Sequence, residues 1–191
     1  MAYTDTVPGP DAPGDALRRI RRLSAVLRAA TLLIGLALLA GLIAGAADPG
    51  IVEGALSAGQ APATAGLPFD AVKHAGILCV WALRVAVLLS VLWAVAALLA
   101  CYRDGEIFSS RTAALVRRIG LRLLLLSLTL LVTTPLVSVI LTYDAAAGER
   151  MLAITLDSTM LVGALAGGVM VLIGWVMRVG AALAEDNAAI V

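Results

Sequence analysis

Few residues in this sequence are of types that do chemistry. Arg84 lies inside an apolar run, about nine residues and roughly 13 Å from its start. An arginine at that depth in a membrane costs at least about 2.5–3.5 kcal/mol, so it requires a partner or water. Asp157 opens a later apolar run on the same side, and the long arginine stem can reach outward toward it. Three roles are open to Arg84: snorkelling to headgroups or bonding a backbone carbonyl, a structural Arg84–Asp157 ion pair, or a substrate or ion site. His74 follows Asp70 at i, i+4 spacing, which reads as a surface contact rather than an acid–base pair.

A single histidine cannot build a multi-histidine metal site. Cys79 and Cys101 fall on one predicted helix about 33 Å apart, too far for a disulfide or a shared metal. Both read as small apolar residues. Nucleotide-binding loops, metal-ligand clusters and Ser-His-Asp sets are not recognisable. Neither an enzymatic activity nor a cofactor is therefore expected.

The elements that position these residues follow from composition. Of 191 residues, 61% are hydrophobic and only 14% charged, against about 45–50% and about 25% in soluble domains. That excludes a disordered chain and a basic domain that binds nucleic acid directly. Four segments reach the roughly 20 apolar residues that cross a bilayer: about 25–47, 76–101, 120–142 and 158–181. Each must be helical, because a span satisfies its backbone groups internally. The expected fold is all-α, a four-span transmembrane helical bundle formed as one domain over 17–191. Residues 1–16, rich in Pro, Gly and Asp, read as a disordered cytoplasmic tail.

Charge orients the bundle. Arg18, Arg19, Arg21, Arg22 and Arg28 precede span one, and Arg103, Arg111, Arg117, Arg118 and Arg122 lie between spans two and three. Arg178 closes span four, whereas the opposite side carries Lys73 and Arg150. Basic residues favour the cytoplasmic side, so both termini are expected there. The arginine and alanine usage is that of GC-rich bacterial coding, which points to a bacterial inner membrane.

After span two, Gly105 suits a left-handed helix stop, and Ser109 or Ser110 suits a helix cap. Phe108, Thr112, Leu115, Val116 and Ile119 then recur at helical spacing, with Arg111, Arg117 and Arg118 mainly off that stripe. This predicts a short cytoplasmic amphipathic helix at the membrane surface, feeding span three near Gly120. Arg103, Phe108, Arg111, Arg117, Arg118 and Arg122 form a candidate docking or anionic-lipid surface. The long external connection, about 48–75, reads as a flexible connector or a small cap over the bundle.

Span three places Ser127, Thr134 and Ser138 on one face beside Thr129, Thr133 and Pro135. Pro135 frees the carbonyl of Leu131, a region that hydroxyls on neighbouring turns help to satisfy. Gly41 with Gly45, and Gly163 with Gly167, are small-residue pairs suited to close helix packing, within the chain or in a homo-oligomer. Trp81 and Trp175 suit span ends, and Trp93 is expected to face lipid or pack.

The segment Tyr102 to Gly120, YRDGEIFSSRTAALVRRIG, resembles the signature loop of a bacterial four-helix membrane family, that of domain of unknown function 2975. Gly174 to Asn187, GWVMRVGAALAEDN, is similar to that family's closing helix. The resemblance is best over about 100–191, and it implies no defined activity. It does imply a regulatory membrane partner, because genes of this family look paired with small helix-turn-helix regulators. The expected function is therefore a sensing or interaction protein that presents a cytoplasmic face to a soluble regulator of that kind. The alternative is a small oligomeric transporter or channel that uses Arg84.

Overall fold

The computed structural model describes residues 13–59, 69–105, 109–145 and 156–188. Their order is α1 (Pro13–Ala47), α2 (Pro49–Gly59), α3 (Ala71–Arg103), α4 (Ser110–Thr142) and α5 (Ser158–Ala188), with no strand among the described residues. α1, α3, α4 and α5 are long and apolar enough to cross a membrane. They contain the four expected spans. α1 begins at Pro13, inside the stretch expected to be a tail; residues 1–12 lie outside the described ones.

Local chemistry sets the breaks. Asp48 separates α1 from α2: its Oδ1 accepts the Gly50 amide at 2.8 Å, and Pro49 takes the first helical position, where a missing N–H costs nothing. Asp70 caps α3, accepting the Lys73 amide at 2.9 Å. α3 stops at Asp104, and Gly105 follows with φ +88°, the left-handed conformation its sequence position predicts. Ser109 and Thr112 then form a reciprocal capping box at the start of α4.

One expectation is corrected here, and a choice between two others is decided. The segment after Ser109 is not a separate amphipathic helix lying on the membrane: it is the first part of α4, which runs unbroken for 33 residues through Pro135. Its apolar stripe is covered by protein instead, since Thr112, Ala113, Val116, Ile119 and Gly120 are buried. Phe108 lies outside the described residues. For the connection at about 48–75, the cap is the alternative that its described first part shows. Its first part folds as α2, whose Val52 is fully buried against Ile77 and Val80 of α3 and Val137 and Leu141 of α4. α2 is thus a small cap, and this cluster, with Leu56, Phe69 and Trp81 around it, is a hydrophobic core at that end.

Extensive packing follows chain order, α1 on α3, α3 on α4 and α4 on α5. The α4–α5 contact is made backbone to backbone. A Cβ on Gly120 would lie 2.6 Å from the Gly167 carbonyl oxygen, and one on Gly163 would lie 2.8 Å from Ser127 Oγ. One on Gly174 would lie 2.8 Å from the Arg117 backbone nitrogen. Gly163 and Gly167 therefore serve packing within the chain. In α1, Gly45 packs within the chain against Val52 and Trp81, whereas Gly41 has nothing within 4 Å in the chain itself. The outward faces are apolar: Leu33, Trp93 and Leu165 are 66%, 75% and 71% exposed. Surfaces of this kind belong in lipid.

Candidate functional site

Polar chemistry concentrates on the α3–α4 interface, at three depths. At the end capped by α2, Lys73 lies in the first turn of α3 and is 1% exposed. Its Nζ reaches Asp144, just beyond α4, at 2.7 Å from Oδ1 and 2.9 Å from Oδ2, and stands 5.5 Å from the centre of the Tyr143 ring. Tyr143 donates its hydroxyl to Asp70 Oδ2 at 2.9 Å. One carboxylate, Asp70, therefore joins the start of α3 to the end of α4 while also capping a helix. The Lys73 amide and the Tyr143 hydroxyl hold its pKa below the ordinary carboxylate value. The same hydrogen bond to Asp70 raises the Tyr143 pKa.

His74 does not pair with Asp70 through its ring. Its Nε2 lies 2.9 Å from the carbonyl oxygen of Gly45 on α1, and the ring leans on Phe69 with centroids 6.1 Å apart. The histidine thus ties α1 to α3.

About 16 Å further along α3 from Lys73 stands Arg84. Its Nε donates to Thr133 Oγ1 at 2.6 Å and its Nη2 to Thr134 Oγ1 at 3.3 Å. Both hydroxyls donate back along their own helix, Thr133 to the Thr129 carbonyl at 2.7 Å and Thr134 to the Leu130 carbonyl at 2.8 Å. With their protons committed, the hydroxyls present lone pairs to the guanidinium. The expected Arg84–Asp157 pair does not form. Asp157 lies at the head of α5, which does not pack extensively on α3. Its carboxylate accepts hydrogen bonds from Thr159 and Ser158, which lower its pKa. Arg84 meets the span beside it, and the carboxylate is two helices away.

Arg122 makes the third tie. Its Nη1 donates to the backbone carbonyl of Ser90 on α3. This removes Arg122 from the candidate docking surface. Among the described residues, no buried side-chain nitrogen or oxygen lacks a hydrogen-bond partner.

The other candidate arginines stay at the opposite end from α2. Arg103, Arg111 and Arg118 are exposed and Arg117 half-buried. Two clefts flank the first turns of α4 there. One, of about 540 Å³, lies against α3 and is lined by Cys101, Asp104, Arg111, Leu115 and Arg118 among others. The second, of about 330 Å³, lies against α5. The ordered arginine end was legible in the sequence. The Lys73–Asp144 tie was not, although a lysine opening one span and an aspartate closing its antiparallel neighbour are a usable signal.

A protein-family model described as "Protein of unknown function (DUF2975)" matches residues 57–191. Neither the curated proteins nor the solved structures contain a match.

Proposed function

The chain belongs to the DUF2975 family of proteins of unknown function, and from that premise and the layout of its charges we propose that it is a non-enzymatic sensing or interaction protein. In this reading it spans the bacterial inner membrane four times with both termini cytoplasmic, and its arginine end docks an acidic face of a soluble regulator. The partner expected is the helix-turn-helix type that the family resemblance implies.

One observation supports this reading above the others. The exposed Arg111 and Arg118 line the α3–α4 cleft and the exposed Arg103 closes α3 at the same end, on the side where all but a few of the basic residues fall. Such an end favours the cytoplasmic face and attracts acidic partners. The α2 cap then stands outside, coupled to the same two helices through Val52 packing and the Lys73–Asp144 tie. A shift of α3 against α4 at the capped end would alter the cleft at the other. The transport alternative draws no support from Arg84, whose Nε and Nη2 are engaged by Thr133 and Thr134.

Photocrosslinking in the native host tests this. A crosslinking residue at Ala114, exposed between the clefts, is expected to capture a soluble protein, whereas one at Val72, exposed at the capped end, is not. Capture from neither position, or the same soluble protein from both, would contradict the reading.

A further inference from the structure

The cleft between α4 and α5 differs in composition from the α3–α4 cleft, which Asp104 also lines. Three arginines line the α4–α5 cleft, Arg117, Arg118 and Arg178, and its other lining residues are Ala113, Ala114, Leu121 and Gly174. None of these is acidic. At Gly174 the two helix backbones touch, since an added Cβ would meet Arg117 and the Ala113 carbonyl within 3.0 Å. The three arginines therefore come from two helices held at a fixed, minimal separation.

Depth can be counted along both helices. A hydrocarbon core takes about 20 helical residues. Counted from Ser158, the start of α5, that length ends near Arg178. Counted back from Thr142, the end of α4, it ends near Arg122, which leaves Arg117 and Arg118 about one turn beyond. Both helices independently put these arginines at headgroup level. Directly below Arg118 on the same face of α4 run Leu121, Leu125 and Leu128, which are 47%, 49% and 56% exposed.

We propose that this cleft is a binding site for the phosphate of an anionic phospholipid, with an acyl chain along the Leu121–Leu125–Leu128 stripe. Guanidinium groups bind phosphate through paired charge-assisted hydrogen bonds. Basic pockets between transmembrane helices suit anionic headgroups. The apolar stripe that continues from the cleft selects a lipid over a free phosphate. The site does not depend on any soluble partner.

The test is native mass spectrometry of the full-length protein in neutral detergent, titrated with phosphatidylglycerol or phosphatidylcholine, with inorganic phosphate as competitor. Phosphatidylglycerol is expected to be retained preferentially and to resist millimolar phosphate. Arg117→Gln/Arg178→Gln is expected to weaken its retention about tenfold or more. Arg103→Gln/Arg111→Gln, outside this cleft, is expected to leave it unchanged. Equal retention of both lipids, displacement by phosphate, or equal weakening by the two double variants would overturn the proposal. Should Arg117→Gln/Arg178→Gln not purify as a helical protein, Arg178→Gln alone decides, because Arg178 is exposed; unchanged retention there overturns the site.

Discussion

Lys73 Nζ lies 2.7 Å from Asp144 Oδ1, and the lysine is 1% exposed while the aspartate side chain is 35% exposed. The pair joins the first turn of α3 to the residue pair that follows α4. A buried ammonium is tolerated only when its charge is met, so the contact fixes the relative height of these two spans.

Asp144→Asn is expected to lower stability in detergent by about 1–3 kcal/mol, because it replaces the carboxylate that Lys73 Nζ contacts with a neutral amide. This is below the roughly 3–5 kcal/mol of a fully buried broken pair, since Asp144 is partly solvated. Adding Lys73→Met to Asp144→Asn should recover more than half of the loss. Thermal unfolding of the three variants checks this, and no recovery would show that Lys73 is not held by Asp144.

Thr133→Val removes the hydroxyl that receives Arg84 Nε, and is expected to cost about 1–3 kcal/mol. Asp157→Asn keeps a good helix cap and should stay within about 0.5 kcal/mol of wild type. The opposite ranking in a detergent unfolding series would restore the Arg84–Asp157 pair.

Gly120→Ala places a methyl against the Gly167 carbonyl and the Val171 amide, both backbone, so the helices must part. A loss of about 1–3 kcal/mol is expected. Gly168→Ala, with nothing within 4 Å, should leave the folded protein within about 0.5 kcal/mol of wild type. Equal effects would show that α4 and α5 do not meet along the Gly120–Gly167 seam.

The capped end should be stable over a defined pH window. Asp70 has a lowered folded pKa, so its contribution is present above its unfolded value near pH 4 and is lost as pH falls through the folded value. Tyr143 has a raised folded pKa, so its contribution is present below its unfolded value near pH 10 and is lost as pH rises through the folded one. Thermal midpoints measured against pH should show both flanks, and Asp70→Asn should flatten the acid flank. An unchanged acid flank would remove Asp70 from the cause.

The spans, the Gly105 stop and the Ser109 cap were legible because length, hydropathy and turn chemistry are local. The amphipathic stripe at Thr112, Val116 and Ile119 was legible as a pattern, but its partner was not. Periodicity shows that a face is apolar and does not say whether lipid or protein covers it. The partner of Arg84 was misread for a related reason. A carboxylate is the conspicuous candidate in a sequence, yet which span lies beside α3 decides the matter, and it is α4 with its threonines. A small cap was one of two readings of this connection, but its helix was hidden by glycines and prolines around a segment held by the burial of Val52.

The most direct test of the proposed function is a gentle-detergent pull-down of the tagged protein from its native membrane, compared with Arg103→Gln/Arg111→Gln. The account predicts that a soluble regulator is recovered with the wild type and lost with the variant, while the variant remains folded in the membrane. Recovery of the same protein with both, or of no soluble protein with either, would contradict it.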